Sequence, residues 1–139
     1  MRLLLFFLCI LPQFVQAKEY GSVIVSEITS VYDADTFRAN IAGYPAIAGV
    51  RVPIRVLGVD APEIRGKCES EKLAARQAKQ FTVEHLRSAK VVELRNMQRG
   101  KYFRILAAVY IDGENLAHLL IKSGHGRAYD GGKRQGWCD

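Results

Sequence analysis

Five segments of the chain combine β-branched or aromatic residues with strand-like polarity patterns, which predicts five short β-strands. They are residues 22–30, 33–40, 51–59, 91–94 and 102–111. The first two segments meet at a tight turn at Asp33 and Ala34. Residues 41–50 contain three alanines, two glycines and Pro45, which indicates a surface loop. The first two strands therefore predict that the molecule begins as a β-meander. Residues 96–101 form a polar connection between the last two predicted strands.

The hydrophobic period changes after residue 70, which predicts an amphipathic helix with Ser70 as its N-cap. The residues expected on or beside its apolar face are Ala74, Ala75, Ala78, Phe81, Thr82, His85 and Leu86. A second helix is predicted over 114–123 after a turn at Asp112, and Gly124 fits its left-handed C-terminal cap. Five strands, with one helix after the third and one after the fifth, predict a mainly β, α+β fold: a five-stranded OB-type barrel with two α-helices.

The first 17 residues have a different character. Arg2 precedes an apolar run over 3–11, which is followed by Pro12 and by small residues at Val15 and Ala17. The run is shorter than the about 20 apolar residues of a transmembrane helix. We therefore predict a secretory signal peptide that is cleaved after Ala17, the alternative being an uncleaved membrane tether. The product would be secreted or periplasmic and free of the membrane.

The net charge and the spacing of the histidines bear on the kind of partner and on the kind of metal site. Removal of residues 1–17, which contain one arginine and no acidic residue, leaves residues 18–139 as one domain and lowers the formal net charge from +6 to +5. A basic excess favours a polyanionic partner, although a basic domain can also be merely soluble. His85, His118 and His125 lack metal-ligand spacing, so we interpret them as packing or surface residues.

Cysteine parity suggests a disulfide. Three cysteines are encoded, and Cys9 would leave with the signal peptide. Cys68 and Cys138 would then remain as a pair in an oxidising compartment, where pairs usually bond; two free thiols are the alternative. A bridge would anchor the C-terminal tail near the loop that follows Asp60.

Four motifs follow one another along the chain. They are VYDADTFRA (31–39), VPIRVLGVDAPEIRGKCESE (52–71), GKYFRILAAVY (100–110) and GRAYDGGKRQGWC (126–138). Together they resemble the staphylococcal nuclease (thermonuclease) family over nearly the whole mature chain. The resemblance implies an OB barrel and a monomeric, calcium-dependent nuclease. Its substrates would be DNA and RNA, with single-stranded or frayed ends preferred.

The resemblance also implies a metal site. Asp35 and Asp60 match the metal-binding aspartates of the family, and Ala61 falls where a backbone carbonyl is the third contact. Calcium takes six to eight oxygen ligands, so such a set leaves positions for waters and a substrate phosphate. The family usually has threonine at the position of Ala61; alanine keeps the carbonyl and loses the hydroxyl.

The catalytic residues are implied in the same way. Glu63 matches the glutamate usually described as the general base, and Arg55 and Arg104 match two phosphate-clamping arginines. A planar guanidinium can bind two phosphoryl oxygens at once. Phe103 stands where glycine is common before the second arginine, which affects the reach of Arg104.

Substrate contacts are implied at three further residues. Lys101 and Tyr102 match nucleotide-contacting positions, and Tyr129 lies near a tyrosine that lines the base pocket in the family. Arg65, Lys67, Lys133 and Arg134 are expected to form a diffuse basic rim. After the second predicted helix, the final helix of the family's prototype is either missing or replaced by the tail GGKRQGWC.

Two other functions remain as alternatives: a non-catalytic OB module that binds nucleic acid, and an exported structural or adhesion domain. The first has no need of the carboxylates at Asp35, Asp60 and Glu63. The second leaves the whole polar constellation unexplained.

Overall fold

The computed structural model describes residues 18–138; the predicted signal peptide and Asp139 lie outside the described residues. Nine strands and three helices follow one another. They are β1 Val23–Ile24, β2 Glu27–Asp33, β3 Thr36–Asn40, α1 Ala46–Gly49, β4 Val52–Val56, β5 Gly58–Asp60, α2 Glu69–Ser88, β6 Val92–Arg99, β7 Ile105–Ile111, β8 Glu114–Asn115, α3 Leu116–Lys122 and β9 Arg127–Tyr129. No helix among these residues is long and apolar enough to cross a membrane.

The main sheet is curled. Its strand order is β1-β6-β7-β4-β3-β2, with β8 added beside β7; β4 and β7 are parallel, and the other pairs are antiparallel. Because β1 and β2 are adjacent in the chain but lie at opposite ends of this order, the sheet bends round into a half-barrel. The predicted α+β, OB-like fold is confirmed. A separate antiparallel pair, β5 and β9, lies outside the main sheet.

Two of the predicted strands are each divided in two because the chain changes partner. Val25 N–H still donates to Val92 on β6, whereas Ser26 N–H donates to Asn40 on β3. The second break is at Leu57, whose N–H donates to Ala107 on β7 just before β5 pairs with β9. The period of the hydrophobic pattern indicates which face of a strand is buried, but it does not indicate where the strand changes its partner.

Other boundaries differ from the sequence prediction. Strand β6 continues through most of the predicted connection 96–101. Its register with β7 shifts near Asn96, whose φ is 52°, and Met97 is then buried again. The predicted surface loop 41–50 contains the single turn α1. The predicted cap Ser70 is wrong: α2 begins at Glu69, with Cys68 at the N-cap and no side-chain cap hydrogen bond.

Buried and partly exposed side chains alternate along β4, so one face of the strand belongs to the core and the other faces the site. Ile54 and Val56 are buried, and Arg55 between them faces the opposite side of the strand. Helix α2 covers the barrel through a buried face that consists of Glu71, Ala75, Ala78, Thr82 and Leu86. Helix α3 ends as predicted, with Gly124 at φ 76° and His125 N–H donating to Leu120 O at 2.9 Å.

Candidate active site

Two predicted site aspartates converge on a third predicted site residue, an arginine. Asp35 lies in the turn between β2 and β3, and Asp60 ends β5. Arg55 reaches both carboxylates from β4: Nη1 lies 2.7 Å from Asp35 Oδ1, and Nη2 lies 3.2 Å from Asp60 Oδ1. The structure therefore brings together two aspartates and an arginine that are separated by up to 25 residues in sequence.

Asp35 is held rigidly in the interior. Its side chain is 1% exposed, Oδ2 accepts the N–H of Ala61 at 2.9 Å, and Oδ1 accepts the hydroxyl of Thr36 at 3.0 Å. Burial raises the pKa of Asp35, and the charge of Arg55 opposes that rise. Ala61 is thus fixed next to the acids by its own backbone.

A third buried aspartate, Asp33, was not identified as a site residue from the sequence. It accepts the N–H of Ile64 at 3.0 Å, and burial raises its pKa despite this hydrogen bond. The contact ties the end of β2 to the loop that contains Glu63. The only sequence signal was the spacing of two aspartates in DAD, which is equally typical of a turn.

Glu71 positions the loop that contains Glu63. This buried residue in the first turn of α2 accepts the N–H of Glu63 at 3.3 Å and the N–H of Lys67 at 2.9 Å. A Cβ at Gly66 would come within 2.5 Å of the Glu71 side chain, so glycine is needed for this close approach. The sequence pattern did not distinguish Glu71 from the solvent-exposed acids beside it.

The C-terminal tail contacts the candidate acids directly. The Arg134 guanidinium lies 2.5 Å from Asp60 Oδ1, and its Nη1 lies 2.5 Å from Glu63 Oε1. Burial disfavours the charged form of Arg134, but its hydrogen bonds to Glu63 and Asp60 outweigh this and raise its pKa. The sequence placed Arg134 in a diffuse basic rim, whereas the structure places it against two predicted site residues.

The predicted disulfide Cys68–Cys138 is present, with 6.0 Å between the Cα atoms. Next to it, Trp137 Nε1 donates to Asp60 Oδ2 at 3.2 Å, and Arg127 stacks on the Trp137 ring at 3.8 Å. The bridge therefore holds the tail beside the acids. Trp137 was not predicted to contact the site.

Arg104 immediately precedes β7. Strand β7 places Leu106 opposite Arg55, and Arg104 lies two residues earlier. Its Nε is buried and has no hydrogen-bond partner among the described residues. A buried N–H of a charged side chain that lacks an acceptor is rare and costs free energy. An anionic ligand would accept this hydrogen bond.

Among the described residues, the predicted substrate contacts do not join the hydrogen bonds of Asp35, Arg55 and Asp60. Lys101 and Tyr102 form an exposed turn, with Tyr102 at 90% exposure and φ 58°. Phe103 also has a left-handed φ of 56°, a conformation that glycine would adopt without strain. Tyr129 pairs with Gly58 across β5 and β9, and its hydroxyl donates to Gly132 O.

The histidines are packing or surface residues, as predicted. His85 and His125 both pack against Phe81, and His118 is exposed on α3. One cluster of potential metal ligands occurs elsewhere in residues 18–138, formed by Cys68, Glu71 and Cys138, but both of its sulfurs belong to the disulfide.

The donor set around Arg55 fits a hard divalent cation. Asp35 and Asp60 offer carboxylate oxygens, and such ligands suit calcium or magnesium better than a soft metal. Burial raises the pKa of Asp35, and the adjacent charge of Arg55 opposes this rise.

Comparison with known proteins agrees with the geometry. A family model described as staphylococcal nuclease homologue matches residues 53–136, which include Arg55, Asp60, Glu63 and Arg104. Asp35 precedes the matched segment and joins the site through the fold. Among curated proteins, none matches the chain. Because the family model matches more than half of the chain, this chain belongs to the staphylococcal nuclease homologue family.

Proposed function

We propose that this protein is an exported, calcium-dependent nuclease that hydrolyses phosphodiester bonds in DNA and RNA. The observation that carries the proposal is the convergence of Asp35 and Asp60 on Arg55, with Glu63 on the adjoining loop. A non-catalytic binding module has no use for buried carboxylates, which cost free energy unless they are compensated. Family membership supports a nuclease-like function.

Asp35, Asp60 and the carbonyl of Ala61 would hold the cation. Bound calcium would supply positive charge for the phosphate oxygens and would make an attached water more acidic. Arg55 fixes the two aspartates relative to each other through its 2.7 Å and 3.2 Å contacts. Asp33 keeps the adjoining loop in place through the N–H of Ile64.

Glu63 and the arginines would carry the chemistry. Glu63, about two-fifths exposed, shares the Arg134 guanidinium with Asp60 and would remove a proton from a water at the phosphorus. Arg55 and Arg104 would bind the oxygens on which negative charge accumulates as the bond to the leaving group breaks. The unpaired Nε of Arg104 gives it a free donor for that purpose.

Nucleic acid would approach over the exposed turn at Lys101 and Tyr102, and Tyr129, which pairs with Gly58 two residues before Asp60, would offer a further aromatic face. Exposed aromatic faces stack on any base, which favours single strands or frayed ends and gives little sequence preference. We further propose that the protein acts as a monomer.

Digestion assays test the function. Wild-type protein should cut plasmid DNA and RNA with calcium and stop when a chelator is added, and Asp60→Asn should be inactive at the same calcium concentration. An exposed acid, Glu69→Gln, is the matched control and should retain activity. Undiminished cutting in chelator would refute the metal dependence. Calcium-dependent binding without any cutting would instead support the non-catalytic module.

Export is part of the proposal, and it rests on the sequence of residues 1–17. Mass spectrometry of protein recovered outside the cytoplasm should give an N-terminus at Lys18. A mature chain that still begins with Met1 would contradict cleavage after Ala17.

A further inference from the structure

The tail after β9 has no helix or strand and runs between two anchors. On one side it continues from β9, and on the other it ends at the disulfide to Cys68, at the start of α2. Gly131 and Gly132 have φ of 111° and 83°, values open to glycine but not to most residues, so the turn that leads away from β9 depends on glycine. We call residues 130–138 the C-terminal latch.

The latch engages both oxygens of Asp60. Oδ1 receives Arg134 at 2.5 Å as well as Arg55 at 3.2 Å, and Oδ2 accepts the Trp137 indole N–H at 3.2 Å. Arg134 also spans to Glu63. The guanidinium therefore lies where positive charge from a divalent cation is required, and a carboxylate with this many donors has little capacity left for a metal bond.

Several contacts keep the latch in this position. Arg127 stacks on Trp137 and donates through Nη1 to Gly136 O at 2.8 Å, and the Tyr129 hydroxyl donates to Gly132 O at 2.8 Å. The disulfide adds a covalent tether, which keeps the local concentration of Arg134 at the acids high. None of the residues in these contacts belongs to the main sheet.

We propose that the C-terminal latch is an autoinhibitory element in which Arg134 competes with the divalent cation for Asp60 and Glu63, and that reduction of Cys68–Cys138 releases it. The proposal rests on the calcium site proposed above. When the competent state is only partly populated, the apparent dissociation constant rises in inverse proportion to that fraction. Opening the latch therefore tightens cation binding.

The release step is a thiol–disulfide exchange. A dithiol or two monothiols are oxidised to a disulfide, the Cys68–Cys138 bond accepts the two electrons, and both cysteines end as thiols. Cys138 is exposed, so a reductant can reach the bridge. The chain end is then free to leave with Trp137 and Arg134.

Direct calcium binding tests the latch on the full mature chain. Calorimetric titration of oxidised Arg134→Gln should give a dissociation constant at least about fivefold lower than wild type. The matched control is Lys133→Gln, which removes the same charge from the exposed neighbour and should change the constant less than about twofold. Equal or weaker binding in Arg134→Gln than in Lys133→Gln would overturn the proposal.

Trp137 gives a second readout, because it is the single tryptophan of the chain. Its emission should shift, and its quenching by acrylamide should increase, when calcium is added or when the protein is treated with a dithiol. Cys138→Ser should reproduce the reduced state. Unchanged emission after complete reduction, verified by mass, would show that the latch does not open and would refute its redox control.

Failure of the proposed function has a different signature. In that case no variant, including Lys133→Gln and wild type, would bind calcium, whereas Trp137 would still report opening of the latch on reduction. Competition with the cation would then be rejected together with the calcium site, and redox opening would be judged on the emission alone.

Discussion

Among the described residues, Arg104 has a buried side-chain donor that lacks a hydrogen-bond partner. Its buried Nε finds no acceptor, so truncation removes an unmet donor as well as a proposed phosphate ligand. We expect Arg104→Ala to lower kcat/KM by at least about a hundredfold while the free energy of unfolding changes by less than about 1 kcal/mol. Steady-state kinetics and urea unfolding measure the two quantities.

Arg76→Ala is the matched control for Arg104→Ala, because Arg76 is an exposed arginine on α2. It should leave both quantities close to those of wild type. Near wild-type turnover in Arg104→Ala, or a large loss of stability with it, would show that Arg104 is a structural residue.

A second prediction for a single residue concerns Glu71. Glu71→Ala leaves the amides of Glu63 and Lys67 without their acceptor and should reduce the free energy of unfolding by about 1–3 kcal/mol. Because the same amides hold the Glu63 loop, kcat should fall as well. Glu69→Ala, which loses an exposed pair with Lys72, should leave the urea midpoint close to that of wild type. Equal urea midpoints for the two variants would contradict the role of Glu71.

The sequence predicted the residues that carry charge in a recognisable order, namely Asp35, Arg55, Asp60 and Glu63, and the structure brings them together. It did not predict Glu71 or Trp137. Their importance depends on burial and on a partner far away in the chain, and a helix acid or a tail tryptophan has no local pattern that reveals either.

At the scale of elements, the site depends on how α2 is attached to the turn between β2 and β3. Thr82 is fully buried, and its hydroxyl donates to Ala34 O at 2.8 Å, next to Asp35. This single hydrogen bond connects the middle of the helix to the turn that presents the Asp35 carboxylate.

Thr82→Val keeps the shape of the side chain and removes the donor. The buried carbonyl of Ala34 then lacks a partner, so we expect a loss of about 1–3 kcal/mol in the free energy of unfolding, measured in urea. Calcium affinity should fall too, since the Asp35 turn loosens. Ser88→Ala removes an exposed hydroxyl from the same helix and should have little effect on either. A Thr82→Val protein as stable as wild type would show that the hydrogen bond does not hold this turn.

Element types were largely predictable because α2 and most of the sheet have a clear period. The divided strands were not, because the partner changes at Ser26 and Leu57 follow from barrel closure, which is a property of the whole sheet. The short pair β5 and β9 likewise depends on the return of the tail to Asp60.

At the scale of the whole molecule, the disulfide joins the beginning of α2 to the end of the chain, across a sequence separation of 70 residues. Both ends of this loop border the site, because Cys68 follows the Glu63 loop and Cys138 follows Trp137. Cysteine parity predicted the pair correctly. The contact of the tail with Asp60 was beyond the sequence, because it requires the bridge and the fold together.

The bridge should contribute about 4 kcal/mol to the free energy of unfolding by restricting the unfolded chain, a large part of a typical 5–15 kcal/mol. We expect the double variant Cys68→Ser, Cys138→Ser to unfold at a clearly lower urea concentration than oxidised wild type. Its dependence on denaturant should be steeper, because a chain without the cross-link exposes more surface when it unfolds. Reduced wild type should match the double variant, which separates loss of the bond from any effect of the serines. If oxidised and reduced proteins unfolded together, the bridge would contribute nothing to stability, and its effect would be confined to holding Trp137 and Arg134 against the acids.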